Sequence, residues 1–244
     1  MRPISGGVCS ICGERIFSSY AFADGEQESL CGLCRRIEPT FARAAAYGSY
    51  ESGLRDLIHL LKYGGVRPAA NVLGRMLAEA IATLEPSFPA DSIPVIPVPL
   101  HRTKLRQRGF NQAELIARVA VKGFNPARLR LSAAVLERKR DTASQIGLTS
   151  HQRRENLRGA FAVAQPDLVK GREVLVVDDV YTTGATVSEC ARVLRRAGAT
   201  KVWVATVART LKISSKQVEI SPSYHEDEEE PEVREIPLAR AVGG

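Results

Sequence analysis

Residues 174–186 read VLVVDDVYTTGAT, and this stretch limits the fold more than any other. Four apolar residues in succession, with no polar alternation, mark a strand buried on both faces. Behind the threonines, ATVSECARVLRRAGA (185–199) has the three-to-four spacing of an amphipathic helix, and KVWVATVA (201–208) reads again as a strand. Buried strand, helix and buried strand in that order predict an α/β fold with a parallel sheet flanked by helices. A chain of 244 residues accommodates one such core and a small appendage. Asp178 and Asp179 sit where the strand should end. Like charges repel there, so the pair needs a reason outside the fold.

The upstream chain continues the pattern. Leu54, Leu57, Ile58 and Leu61 predict an amphipathic helix within 50–65, stopped by Gly64 and Gly65. Residues 69–84 and 110–121 predict two more helices. IPVIPVP (93–99) has strand-forming residues but three prolines, which suggests an edge strand or a strand end running into a loop. Short strands are expected at 133–138 and 160–163, bracketing a polar stretch. The acidic, proline-containing tail has the composition of a disordered segment.

Four of the five cysteines form the pattern Cys9-x2-Cys12-x18-Cys31-x2-Cys34, a spacing suited to a four-thiolate structural zinc site. Gly13 and Gly32 stand beside ligands, where tight turns favour a residue tolerant of positive φ. So short a segment cannot bury a core alone, so metal would supply its folding energy. Two disulfides are the rival reading, which a cytosolic setting disfavours. Cytoplasmic localisation is expected, because no apolar run reaches membrane-span length and MRPISGGVCS lacks a secretory apolar stretch.

The net charge of +7 is unevenly spread: residues 221–244 hold seven acids and two arginines. Residues 101–158 carry fourteen Lys or Arg against four Asp or Glu, which marks either a solvated basic face or a site for an anionic ligand or nucleic acid.

In a parallel sheet, ligands bind beyond the carboxyl ends of strands. At that place Thr182, Thr183, Gly184, Ala185 and Thr186 let backbone N–H groups converge at a helix start, a cradle for phosphate. Asp178 and Asp179 can then accept hydrogen bonds from vicinal sugar hydroxyls or organise Mg²⁺. Together these residue types suit a ribose 5-phosphate.

VLVVDDVYTTGAT resembles the signature of type I phosphoribosyltransferases, which bind phosphoribosyl pyrophosphate (PRPP). With IPVPLHRTKLRQRGFNQAELIA (96–117), RDTASQIGLTSHQRRENLRGAF (140–161) and the amino-terminal cysteines, the chain resembles the ComF family, competence protein F and GntX-like proteins, over about residues 9–209. The resemblance implies a zinc module at 1–40, a phosphoribosyltransferase-like domain at 41–210 and an acidic tail at 211–244. It implies that Asp178 and Asp179 hold the ribose hydroxyls and that Thr182 through Thr186 wrap the 5-phosphate. Pro99, Leu100, His101 and Arg102 match the pyrophosphate loop, with Lys104, Arg106 and Arg108 supplying charge nearby. Arg138, Lys139 and Arg140 open the loop at 138–154 that closes over PRPP and are candidates for leaving-group stabilisation.

The function implied is Mg²⁺-dependent transfer of phosphoribose to an unknown nitrogen nucleophile, linked to DNA uptake. The alternative is a PRPP- or nucleotide-sensing factor without turnover, associated with single-stranded DNA or DNA-uptake proteins. Against that alternative, aromatic residues around the basic block are few: Phe110, Phe124 and Phe161. Thr182 stands where the branch acting on 6-oxopurines typically has an aspartate, which disfavours hypoxanthine or guanine as acceptor. The acceptor hood is expected within 35–90 with help from 210 onward. His59, Lys62 and Tyr63 lie there, and a helix face packed on the sheet explains them equally well.

Overall fold

Five parallel strands form the centre of the chain, in the order β1 (Arg43–Ser49), β7 (Lys201–Arg209), β6 (Glu173–Tyr181), β2 (Ile93–Pro97) and β3 (Leu129–Leu131). The computed structural model describes residues 4, 7–16, 29–142 and 149–211. These fall within one compact unit, Met1–Lys212; a second unit, Ile213–Gly244, lies outside the described residues, and so does all of the expected acidic tail but Leu211. No helix among the described residues is long and apolar enough to cross a membrane.

Strand alternation sorts the core into two faces. Val174 and Val176 of β6 and Val202 and Val204 of β7 join one cluster, with Cys190, Ala191 and Leu194 of helix α7 (Ala185–Arg196). Leu175, Val177, Trp203 and Ala205 face the other way. There they meet helices α2 (Ser52–Lys62), α3 (Ala69–Ala82) and α5 (Gln112–Ala120). The predicted helices and the two apolar strands all form, because each shows the periodicity its burial requires.

Three features differ from the sequence reading. β2 lies inside the sheet, not at its edge, and the other reading holds: the strand ends at Pro97 and runs into a loop. Ile93 N–H donates to Arg128 O and Val98 N–H to Val177 O, so odd residues of β2 point their N–H toward β3 and even ones toward β6. Pro97 therefore faces the β3 side, past Val95↔Leu131, the last pair with β3. Pro94 faces β6 one residue before that ladder opens at Val95↔Leu175. Both prolines stand where no N–H is needed. Second, Arg43–Ser49, inside the expected hood, is a sheet strand paired with β7. Third, β6 runs through the aspartates to Tyr181 instead of stopping at Val177.

The short strands expected at 133–138 and 160–163 form. Leu136–Arg138 (β4) and Phe161–Val163 (β5) pair antiparallel with each other, apart from the main sheet. Two polar helices that apolar spacing could not disclose complete the chain, α4 (Arg102–Arg108) and α6 (Ser150–Leu157).

The cysteine segment shares the first core cluster: Cys9, Cys12 and Cys34 are buried with Phe41, Ala44, Tyr181 and Ala185. Ala44 N–H donates to Ile11 O at 2.6 Å. Arg209, at the end of β7 and 3% exposed, donates to the Cys12 carbonyl and, at 3.0 Å, to Glu14 Oε2.

Candidate functional site

β6 brings both aspartates into the interior, Asp178 at 9% and Asp179 at 4% exposure. Successive strand residues point to opposite faces, yet the two carboxyl groups still reach each other. Asp178 lies on the α7 side, within electrostatic reach of the Cys190 thiol. Asp179 lies on the α2 side, where Lys62 Nζ pairs with its Oδ2. The Asp179 N–H also donates to Asp178 Oδ1 at 2.9 Å.

The two carboxyls therefore differ in charge preference. Burial, reinforced by the neighbouring Asp179, pushes Asp178 well above the usual carboxylate range. Burial works against Asp179 too, but the Lys62 ammonium outweighs it and holds Asp179 below that range. Burial likewise lowers Lys62, and Asp179 more than offsets it, so the ammonium is held in its charged form.

Three residues beyond β6, Gly184 adopts φ +76° and caps α7. A side chain there would be strained by the left-handed backbone and would also collide with Tyr181 Oη. Ala185 N–H reaches Thr183 Oγ1 at 3.5 Å. The first turn of α7 offers N–H groups that have no carbonyl within the helix, with the positive end of its dipole behind them. Thr182 is exposed, Thr183 and Thr186 are half-buried, and Arg153 of α6 donates to Thr182 Oγ1 at 3.3 Å. That arginine stands beside the turn, although the sequence reading did not single it out.

The segment after β2 arrives at the same end of the sheet. Pro99 and Leu100 are half-buried, and His101 caps α4 by accepting from Thr103 N–H at 3.4 Å. Its Nδ1 also lies 3.4 Å from Asp141 Oδ2, so the loop after β2 meets the segment that follows β4. Arg102 and Arg106 are exposed. Arg108 is committed elsewhere, donating to Gln112 Oε1 at 2.6 Å and lying over the Tyr63 ring at 5.7 Å.

The three cations at 138–140 have separate places. Arg138 donates to Thr142 Oγ1 and stacks 5.4 Å over the Phe161 ring. Burial lowers its pKa, while Cys190, Asp178 and Asp141 pull the other way, so it belongs to the Asp178 side of the sheet. Lys139 pairs with Glu137 at 2.6 Å on the surface. Arg140 donates to the carbonyls of Asn156 and Arg158 at 3.1 and 2.7 Å and so ties down the end of α6. Residues 143–148 of the expected closing loop lie outside the described residues.

The sulfurs of Cys9, Cys12, Cys31 and Cys34 all lie within 4.8 Å of one another. None is in a disulfide, and the spacing fits a tetrahedral ion bound by four thiolates at about 2.3 Å each. Gly13 takes φ +71° in the knuckle, as its place beside a ligand suggested. Gly32 does not; it opens the short helix α1 (Gly32–Arg36) that carries Cys34. Among the described residues these cysteines are the one cluster of three or more metal-binding side chains. In the aspartate doublet the two carboxyl groups reach each other, and Asp179 is engaged by Lys62.

The chain has relatives among known proteins. The family model for the phosphoribosyl transferase domain matches residues 107–233. The DNA utilization protein YhgH of Escherichia coli O6:H1 is 32% identical over 215 residues, spanning 84% of this chain and 91% of that protein. Competence protein F of Haemophilus influenzae is 31% identical over 213 residues, spanning 83% and 90%. Among solved structures, the glutamine PRPP amidotransferase of B. subtilis, complexed with ADP and GMP, aligns at 24% identity with a TM-score of 0.37, over 57% of this chain and 26% of that one.

Proposed function

The chain belongs to the phosphoribosyl transferase domain family, in its ComF branch, and from that premise we propose that it binds PRPP at the end of β6 and transfers phosphoribose to a nitrogen nucleophile. One observation carries the reading. A single strand-to-helix passage presents two buried carboxylates and then, within five residues, a glycine-capped helix start. Hydroxyl acceptors and a phosphate cradle at that separation match the two ends of a 5-phosphorylated ribose. In this reading Asp178 and Asp179 accept from the ribose hydroxyls, while Thr182 to Thr186 receive the phosphate. Pro99 to Arg102 face the pyrophosphate, next to the segment carrying Arg138 and Arg140.

Chemistry at the anomeric carbon breaks the bond to pyrophosphate and forms a bond to nitrogen. The protein supplies no covalent intermediate; orientation and cationic stabilisation of the departing pyrophosphate do the work. Magnesium is expected to enter with PRPP, whose pyrophosphate oxygens are the hard ligands it prefers. The four cysteines are proposed to hold a structural zinc, since four thiolates leave no open coordination position.

The test is calorimetric binding of PRPP in Mg²⁺, followed by pyrophosphate release across a panel of bases and amines. Asp178→Asn keeps the Asp179–Lys62 pair and should weaken PRPP binding by about tenfold or more. A wild-type protein that ignores PRPP sinks the proposal.

A second reading, DNA association without turnover, is favoured by the names of the two relatives and by exposed cations such as Arg102 and Arg106. It predicts retention of single-stranded DNA that falls steeply with salt, together with no pyrophosphate release for any acceptor.

A further inference from the structure

Helix α2 is positioned by Leu54, Ile58 and Leu61, buried against the sheet face of Leu175 and Val177. Its final residue is Lys62, so this packing delivers an ammonium group to the Asp179 side of β6. The pair is well enclosed, with side-chain exposures of 18% for Lys62 and 5% for Asp179. Tyr50, which follows β1, lies within electrostatic reach of both. A buried ion pair adds little net stability compared with an apolar pair of the same volume, so helix docking does not account for a lysine here.

What Lys62 changes is the charge a ligand meets. A phosphorylated sugar brings negative charge, and two bare carboxylates at its hydroxyl end would repel it. A divalent cation is one remedy, but it needs several oxygens converging on one point. Here Asp179 Oδ2 is already taken by Lys62, whose ammonium lies within electrostatic reach of Asp178 as well.

We propose that Lys62 is the built-in counter-ion of the Asp178–Asp179 doublet, so that this site accepts a 5-phosphorylated ribose with no metal ion at the doublet. The inference rests on the ribose assignment made above. Lys62 acts as a positioning residue: it fixes Asp179 through Oδ2 and leaves Oδ1 to accept from a sugar hydroxyl. The demand for magnesium is thereby confined to the pyrophosphate end.

Ribose 5-phosphate, which lacks the pyrophosphate, isolates the question. Calorimetric titrations with ribose 5-phosphate and with PRPP, each in EDTA and in excess Mg²⁺, should separate the two ends of the site. Wild-type protein should bind ribose 5-phosphate equally well in both buffers, while PRPP binding improves with Mg²⁺. Lys62→Met should weaken ribose 5-phosphate binding in EDTA on the order of tenfold, with recovery as Mg²⁺ is added. Lys62→Arg should restore metal-independent binding, which a purely structural role for the lysine would not predict.

The outcomes divide cleanly. Wild-type binding of ribose 5-phosphate only with Mg²⁺ overturns this inference and leaves the PRPP reading intact. Tighter binding by Lys62→Met overturns it as well, since the lysine would then be a competitor for the doublet. Absence of any binding, of either ligand in either buffer, removes the ribose assignment and this inference with it. Should Lys62→Met fail to fold, the wild-type and Lys62→Arg titrations still decide.

Discussion

Asp178 shares its side of β6 with Val174, Val176 and the thiol of Cys190, whereas Asp179 shares the other side with Lys62. Isosteric replacements should therefore act in opposite directions on the ligand-free protein. Asp178→Asn removes an acid whose ionisation burial disfavours, and the amide oxygen can still accept from Asp179 N–H. The expected gain is about 1 kcal/mol, a rise of about 2–4 °C in Tm for a domain of this size. Asp179→Asn leaves the Lys62 ammonium enclosed without its partner and should cost about 3 kcal/mol. The pH dependence follows from the same two shifts. Asp179 is held below its unfolded value, so its stabilisation is present above about pH 4 and is lost as pH falls through the folded pKa. Asp178 is raised, so its cost is absent below about pH 4 and grows as pH rises toward the folded pKa. Melting curves of wild type and Asp178→Asn should converge near pH 4 and separate toward neutrality. Parallel curves would show that Asp178 ionises freely.

At the scale of elements, the passage from β6 into α7 depends on one backbone conformation. Gly184→Ala introduces a side chain at φ +76° that meets Tyr181 Oη, so it should cost about 1–3 kcal/mol. It should also weaken ribose 5-phosphate binding, because the phosphate turn and Tyr181 must move apart; unchanged affinity in calorimetry would separate the turn from phosphate recognition. This passage was legible in the sequence because its apolar run, small residues and helical spacing each have a local cause. Other elements had no such signature. β1, RAAAYGS, has alanines where β-branched residues normally announce a strand, and it is a strand because β7 offers a free edge. α4 and α6 bury too little for a period to appear, although Thr149-x-x-Gln152 spells the capping box that starts α6. The prolines of β2 pointed to an edge or to a strand end, and only the second holds, because an N–H is dispensable wherever the neighbouring ladder has ended. Lys62 had the least chance of recognition: its partner lies on a distant strand, and spacing along α2 cannot reveal a contact made across the fold.

The described residues join the four-cysteine cluster to the proposed phosphate site through one buried side chain. Arg209 donates to the Cys12 carbonyl and to Glu14, and its guanidinium lies 4.5 Å over the ring of Tyr181. Tyr181 packs edge-on against Phe41 at 6.4 Å and stands where Gly184 permits the phosphate turn to form. A bound ion fixes Cys9 and Cys12 to Cys31 and Cys34. Without it those four thiols share no covalent bond, and the knuckle that Arg209 grips is free to loosen. Chelation should therefore act at a distance. Protein purified with its metal, then stripped, should lose on the order of 10 °C in Tm, equivalent to about 3–5 kcal/mol for a domain of this size. It should also bind ribose 5-phosphate more weakly, although no cysteine is proposed to touch that ligand. Adding back one equivalent of Zn²⁺ should restore both properties together, with metal content followed by atomic emission. Arg209→Met tests the link itself: with zinc retained, the cysteine cluster should keep its ion while ribose 5-phosphate affinity falls. If stripped protein melts early yet binds ribose 5-phosphate normally at low temperature, the metal stabilises its own segment and the path through Arg209 and Tyr181 carries nothing to the phosphate turn.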